Sequence, residues 1–284
     1  MRAVICPNFS KNNAYEVTGK VCGILAGLGF ELFADRELSG RFPEGSGVIP
    51  GEMDGICPAS DFIIAIGGDG TILEASGFAA VYDKPLLGIN TGRLGFIASL
   101  EYDELEKLSK LVSGGYRTEE RMLLRCVQKT AEGERCYTAL NDVVISSKYS
   151  RLTDFGITSD GREITSVRAD GLIFSTPTGS TAYALSAGGP ILEPSLRCIQ
   201  MTPVCPHSLF ARTMIFSADK LLAVSADARD RGNLYICVDG VITGGIDPGD
   251  EIEISCSGKT LRLVDMNGES FYSAVNRKLM NSLK

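Results

Sequence analysis

Two apolar runs, DFIIAIG (residues 61–67) and KPLLGIN (residues 84–90), stay apolar through their interiors without alternation. A strand with one wet face alternates apolar and polar residues, whereas these runs suit strands buried on both faces of a parallel sheet. The rest of the first hundred residues keeps the same rhythm. RAVICP (2–7) and FELFAD (30–35) read as strands, and NNAYEVTGKVCGILAGLGF (12–30) has apolar residues at helical spacing. EYDELEKLSKLVSGG (101–115) reads as an amphipathic helix ended by glycines. Strands alternating with helices imply a doubly wound α/β domain.

After Arg121 the period falls to that of short strands. LLRCVQKTAEGERCYTAL (123–140) reads as two strands around a turn, and TDFGITSDGREITSV (153–167) as a hairpin around Asp-Gly. LLAVSADA, NLYICVDG, EIEISCS and TLRLVDM continue the pattern, and FYSAVNRKLMN (271–281) closes the chain as a helix. The expected organisation is an α/β N-terminal doubly wound domain over 1–115 and a β-rich C-terminal domain over 116–268. A C-terminal helix over 269–284 is expected to pack back on the N-terminal domain.

At the end of the first buried run the chain turns through Gly67, Gly68, Asp69 and Gly70 into a helix-like segment beginning with Thr71. Ligands of α/β sheets bind beyond the carboxyl ends of the strands. Glycines there admit positive φ and let backbone N–H groups close on a phosphate. Asp69 cannot grip a phosphate, since two anions repel. It can hold Mg²⁺ or accept a proton from a hydroxyl nucleophile. Asp-Gly also occurs at Asp54, Asp160, Asp170 and Asp239, and those at Asp160 and Asp239 read as hairpin turns. Neither a Walker loop nor a Gly-x-Gly-x-x-Gly is present. Two further glycine-rich stretches, GINTGRLGF (88–96) and RADGLIFSTPTGSTAYALSAGGP (168–190), suit a cleft wall and close backbone approach to a planar base. Asn141 and Asp142, in ALNDVVISS, can bind a diol or shape a turn.

Composition removes other classes. A net charge of −7 without a Lys/Arg block disfavours nucleic acid as a partner. No apolar run approaches the roughly 20 residues of a membrane helix. The apolar segment at the N-terminus is too short for a signal peptide. The nine cysteines are odd in number and never form Cys-x-x-Cys, which suits reduced thiols, mostly small core residues, in a cytoplasmic protein. The single histidine, His207, leaves no partner for a two-histidine metal site.

GGDGT, GINTGRLGF, ALNDVVI, DGLIFSTPTGSTAYALSAGGP and CPHSLFAR occur in the order and approximate spacing of the NAD kinase family, which the chain resembles over essentially its whole length. GGDGT alone is shared with diacylglycerol and sphingosine kinases and is similar to the 6-phosphofructokinase motif; the later motifs single out NAD kinases. The resemblance implies phosphoryl transfer from ATP or polyphosphate to the 2′-hydroxyl of the adenosine ribose of NAD, giving NADP, with a divalent cation such as Mg²⁺. It makes Asp69 the catalytic base, with Gly67, Gly68, Gly70 and Thr71 cradling donor phosphate and Leu73 and Phe96 lining the adenine side. By the same resemblance Asn141 and Asp142 hold the nicotinamide-side ribose, and Arg168 and Asp170 lie near the nicotinamide. Thr181, Ala182, Tyr183 and Ser186 enclose the dinucleotide, with Tyr183 as aromatic wall. It further implies a homodimer or homotetramer in which a neighbouring chain completes part of each site. Asp142 stands where many members have Glu, Glu74 where a basic residue is frequent, and Val241 where Gln often follows Asp-Gly; His207 reads as packed or hydrogen-bonded, not catalytic. The alternatives are a lipid kinase sharing the GGDGT loop, which should present an apolar or basic membrane-facing surface, and a non-catalytic dinucleotide sensor, which could dispense with Asp69.

Overall fold

The computed structural model describes residues 1–92, 95–148, 152–226, 233–247, 249–269 and 271–281. The chain forms two compact units, Met1–Glu120 together with the chain from Leu261 onward, and Arg121–Thr260.

In the first unit the buried runs are parallel strands. They are β1 (Arg2–Pro7), β2 (Glu31–Asp35), β3 (Val48–Gly51), β4 (Phe62–Gly67) and β5 (Leu86–Asn90), hydrogen-bonded in the order β3-β2-β1-β4-β5. A short β6 (Leu100–Glu101) pairs parallel with the end of β5. Helix α1 (Ala14–Gly27) places Val17, Val21 and Leu25 in one core with Ile5, Ile64, Ile66, Leu87 and Ile89. α2 (Met53–Ile56) is a single turn. α3 (Asp69–Val81) packs on β4 and β5 so closely that a Cβ on Gly88 would run into the Ile72 side chain. Leu87 and its neighbour Gly88 point to opposite faces of the strand, so α1 and α3 cover opposite faces and the sheet is doubly wound.

The segment 101–115 differs from its expected form. Residues Leu105–Ser109 make a 3-10 helix, followed by the short α4 (Lys110–Ser113), which ends at Gly114 with φ 75°. Leu105, Leu108 and Leu111 are the buried residues. A constant spacing of three matches the tighter helix, whose side chains eclipse at i and i+3.

The second unit is a β-sandwich. Its strands begin with β7 (Arg117–Thr130, which starts in the first unit), β8 (Gly133–Ala139), β9 (Asp142–Ser147), β10 (Thr153–Ser159), β11 (Arg162–Ala169) and β12 (Gly171–Ser175). The one-turn helix α5 (Tyr183–Ser186) follows, and then β13 (Cys198–Val204), β14 (Met214–Ser217), β15 (Leu222–Ala226), β16 (Leu234–Val238), β17 (Val241–Ile246) and β18 (Glu251–Asp265). One antiparallel sheet has the order β14-β13-β12-β9-β16-β17. The other joins β11, β10, β15 and the start of β18, with β7 and β8 beyond. Val143, Ile145, Leu172, Phe174, Ile199, Met201, Leu234 and Ile236 from the first sheet meet Leu124, Phe155, Ile157, Leu222, Val224, Ile252 and Ile254 from the second. The two Asp-Gly hairpin turns have positive φ at both central residues, 49° and 77° at Asp160-Gly161 and 48° and 84° at Asp239-Gly240. EIEISCS and TLRLVDM are not separate strands: β18 runs through both, with Gly258 at φ 74° between them. The end of LLAVSADA, at residues 227 and 228, lies outside the described residues. α6 (Phe271–Asn281) belongs to the first unit. Of the nine free cysteines only Cys22, Cys57 and Cys126 are fully buried, fewer than the composition suggested. No helix among the described residues is long and apolar enough to cross a membrane.

Candidate active site

In the first unit the strand order reverses between β1 and β4, whose connections run to β2 on one side and β5 on the other. Such a reversal opens a crevice at the carboxyl ends of the two central strands. Those ends are Asn8 and the Gly67–Asp69 turn, joined by the Asn8 N–H donating to the Ile66 carbonyl at 2.9 Å. The Asn8 side-chain oxygen accepts from the Ser10 backbone N–H and hydroxyl.

Asp69 opens α3 and is half-buried. Its carboxylate accepts backbone N–H bonds from Phe96, at 2.7 Å, and Ile97, at 3.2 Å. The loop lies so close that a Cβ on Gly95 would overlap the Asp69 carboxylate, and one on Gly67 would overlap the Thr71 side chain. Both glycines are therefore required by close approach. Thr71 is buried, and its hydroxyl has no hydrogen-bond partner among the described residues. An orphaned hydroxyl in the first turn of a helix, where backbone N–H groups also lack intrahelical partners, is chemistry suited to an anion. Gly67, Gly68, Asp69, Gly70, Thr71 and Phe96 thus gather at one strand-to-helix junction. Leu73 is half-buried one turn further on, with its carbonyl accepting from the Ser76 hydroxyl at 2.7 Å, and Glu74 is exposed. Arg93 and Leu94, within GINTGRLGF, lie outside the described residues.

The second group sits on the sandwich unit. Alternation sends Val143 and Ile145 inward, so Asp142, Val144 and Ser146 face the other way. Val144 and Ile173 pack there against Ala184 of α5, with Cys237 and Val204 beside them. Asn141 and Asp142 are both buried. The backbone leading into them is held from two sides. The Asp239 carboxylate accepts the N–H groups of Leu140 (2.7 Å), Asn141 (2.8 Å) and Asp142 (3.0 Å), and the Asp239 N–H donates to the Asp142 carbonyl at 3.0 Å. From the other side the Thr176 hydroxyl donates to the Leu140 carbonyl at 2.6 Å and the Thr176 N–H to the Asn141 carbonyl at 2.9 Å. What remains for a ligand is the Asn141 side-chain oxygen, buried without a hydrogen-bond partner among the described residues, and the Asp142 carboxylate.

Burial, reinforced by the charge on Asp239, pushes the Asp142 carboxyl up to about 7. Burial also raises Asp239, but its three amide donors favour its charged form. Of the two, Asp142 is therefore the readier to take up a proton as pH falls, and Asp239 the readier to keep its charge. Sequence reasoning saw only a hairpin turn at Asp239. Its Asp-Gly dipeptide carries the turn signal and nothing that reports the amides of a strand almost a hundred residues earlier.

Gly179 completes this region, since its own N–H donates to the Thr176 hydroxyl at 3.0 Å and a Cβ there would run into the Asn141 backbone. Gly179→Ala is expected to destabilise the protein by about 1–3 kcal/mol, the usual cost of overpacking. Urea denaturation checks this, and an unchanged midpoint would show that the Asn141 bend gives way freely.

Tyr183 and Ser186 are exposed, and Thr181 and Ala182 half-buried, in the turn from Gly179 through α5. Partial desolvation of its hydroxyl, together with Tyr235, Cys205, Asp142 and Asp170 nearby, raises Tyr183 above its ordinary value, so these residues share one neighbourhood. Asp170 is half-buried, with its carbonyl accepting from the Ser147 N–H at 3.1 Å, while Arg168 is exposed and stands 3.9 Å from Asp154. His207 is exposed, not packed; its backbone N–H donates to the Arg168 carbonyl at 2.9 Å. Val241 is exposed at the start of β17. Within the first unit, then, Gly67 to Thr71 and Phe96 lie at one anion-suited turn, and within the second Asn141, Asp142, Asp170 and Tyr183 lie in one neighbourhood, while Arg168 stands at the surface beside Asp154.

Comparisons with known proteins bear on both groups. The family model for the ATP-NAD kinase N-terminal domain matches residues 4–116, and that for the ATP-NAD kinase C-terminal domain matches 140–266. The NAD kinase of Natranaerobius thermophilus is 35% identical over 283 residues, covering 98% of each chain. That of Symbiobacterium thermophilum is 40% identical over 222 residues, covering 77% of this chain and 78% of its own. Among solved structures, yeast NADH kinase complexed with NADH matches with a TM-score of 0.89 at 25% identity, over 99% of this chain and 87% of that one. An NAD kinase from Archaeoglobus fulgidus in complex with ATP matches with a TM-score of 0.71 at 26% identity, over 99% of both. With both domains matched and relatives aligned nearly end to end, the chain belongs to the NAD kinase family.

Proposed function

We propose that this enzyme transfers the γ-phosphoryl group of ATP, or a terminal phosphoryl group of polyphosphate, to the 2′-hydroxyl of the adenosine ribose of NAD, releasing NADP. The observation that carries this reading is the Asp69 carboxylate held by two backbone amides, two residues before the buried hydroxyl of Thr71, which has no hydrogen-bond partner among the described residues. A ribose hydroxyl is a weak nucleophile near neutral pH, and Asp69 accepts its proton as the oxygen attacks phosphorus. Gly67, Gly68, Gly70 and Thr71 take the donor phosphates at the start of α3, with Leu73 and Phe96 on the adenine. Asn141 and Asp142 accept from the hydroxyls of the other ribose, Tyr183 faces a ring with Thr181, Ala182 and Ser186 around it, and Arg168 and Asp170 attend the nicotinamide end. Incubation with ATP, Mg²⁺ and NAD, followed by detection of NADP with an NADP-specific dehydrogenase, tests the reading. Absence of NADP with both ATP and polyphosphate would refute it. A lipid kinase sharing the GGDGT loop is not favoured, because the match to NAD kinases extends through residues 140–266.

The described residues do not build a dedicated metal site: no group of three or more His, Cys, Asp or Glu side chains gathers among them. In the proposed reaction a divalent cation would enter with the donor phosphates, as Mg²⁺ commonly does. Excess chelator is expected to abolish turnover and added Mg²⁺ to restore it, measured as the rate of NADP formation. Undiminished turnover in chelator would overturn the cation requirement.

The nine cysteines, odd in number and free of Cys-x-x-Cys spacing, support a reducing, cytoplasmic setting for the enzyme. The resemblance to the family supports a homodimer or homotetramer, as do Leu209 and Phe210, which are 87% and 90% exposed.

A further inference from the structure

Asp239 does more in the folded protein than close the turn that its Asp-Gly dipeptide announces. It occupies the first central position of a two-residue turn, between the paired Val238 and Val241, with φ 48° followed by 84° at Gly240. That is the geometry of a type I′ hairpin, for which Asn-Gly, Asp-Gly and Gly-Gly all serve. The turn alone therefore does not call for a carboxylate. The strand that needs one is β9, whose entry at Leu140, Asn141 and Asp142 presents three successive N–H groups to it. One oxygen takes Asn141 and Asp142, and the other takes Leu140. A single amide oxygen cannot reproduce this, because the second site of an Asn would turn an NH₂ toward a backbone donor.

We propose that Asp239 is a positioning residue for the dinucleotide, holding the Leu140–Asp142 bend so that the Asn141 amide oxygen and the Asp142 carboxylate meet the hydroxyls of a ribose. The proposal rests on the kinase reading above and adds to it a residue that touches no substrate. The ionisable groups around Asp142 are Asp239 and Cys237 from the β16 side and Tyr183 from α5. Of these Asp239 is the one whose charge opposes the ionisation of Asp142. Removing that charge therefore moves the titration of Asp142 toward lower pH.

The test compares the unaltered enzyme with Asp239→Asn, which keeps a residue suited to the turn. Initial rates are measured against NAD and against ATP from pH 5.5 to 8.5, and folding is followed by circular dichroism. Expected is a rise in KM for NAD of about ten- to hundredfold, with KM for ATP and kcat within a few-fold. The pH midpoint of kcat/KM for NAD should also fall. Asp239→Gly gives a second variant compatible with the turn, and it should raise KM for NAD at least as far. An unchanged KM for NAD in folded variants overturns the proposal. So does a parallel loss for both substrates with no change in the pH midpoint, which marks a merely structural residue. If neither variant folds, the carboxylate is needed for the fold itself and the proposal falls. No NADP from the unaltered enzyme refutes the kinase reading and this proposal with it, whereas an active parent with an unaffected Asp239→Asn refutes the proposal alone.

Discussion

Replacing Asp69 by asparagine is expected to lower kcat by about 10²–10⁴, the usual contribution of a general base, or roughly 3–5 kcal/mol of transition-state stabilisation. The substitution removes the basic oxygen while keeping the volume of the side chain. The structure adds a second consequence. Both carboxylate oxygens hold the Gly95–Ile97 loop through the amides of Phe96 and Ile97. An Asn can satisfy only one of these donors and must turn its own NH₂ toward the other. The loop should loosen by about 1–3 kcal/mol, the cost of an unsatisfied donor. Two readouts separate the effects: NAD and ATP affinities by calorimetry, and kcat under saturating substrate. A large fall in kcat with affinities within a few-fold supports the base. If kcat survives, the phosphate or another group takes the proton. If both affinities collapse, Asp69 serves chiefly as the clamp of the loop.

Asp142→Asn should stabilise the substrate-free protein above neutral pH, by up to about 4 kcal/mol at pH 8. The folded-state value for Asp142 lies near 7 against 3.8 for an unperturbed carboxyl, owing first to burial and then to Asp239. A raised value means that the native state binds the proton more tightly than the unfolded chain does. The associated stability is fully present below about pH 4 and is lost as pH rises through about 7. Asparagine carries no such linkage. Urea unfolding of parent and variant should therefore give nearly equal stabilities at pH 4 and a widening difference toward pH 8. A difference that stays constant with pH would show that Asp142 titrates normally in the folded protein. The same variant should bind NAD more weakly, because the charged acceptor for the ribose is gone. Stability given up at Asp142 would then be the cost of a site prepared for its substrate.

Much of the fold was legible in the linear order of residues. The unalternating runs at β4 and β5 can be satisfied only by burial on both faces, and the change of period after Arg121 marks the passage to a sandwich whose strands alternate. The Gly67–Thr71 turn was legible for a related reason: glycines and a lone carboxylate between a buried strand and a helix have few uses apart from a ligand. Local spacing misled where two local rules competed. Residues 101–115 look like an α-helix, yet leucines three apart are served by a 3-10 helix. EIEISCS and TLRLVDM look like two strands because Gly258 interrupts them, yet the pairing partners carry β18 through both.

Sequence by itself determined the two kinds of layer, the place of the phosphate-suited turn and the presence of a polar pair at Asn141 and Asp142. Tertiary structure alone decided what those groups touch. That the Asp69 carboxylate holds the Gly95–Ile97 loop depends on β4 and β5 lying side by side, which brings together residues 27 and 28 positions apart. That Asp239 governs the entry to β9 depends on β16 pairing with that strand, across 97 to 99 positions. A turn dipeptide reports the dihedral angles its own residues adopt, which are local. The donors its carboxylate meets are set by strand pairing, a non-local outcome of burying the sandwich core.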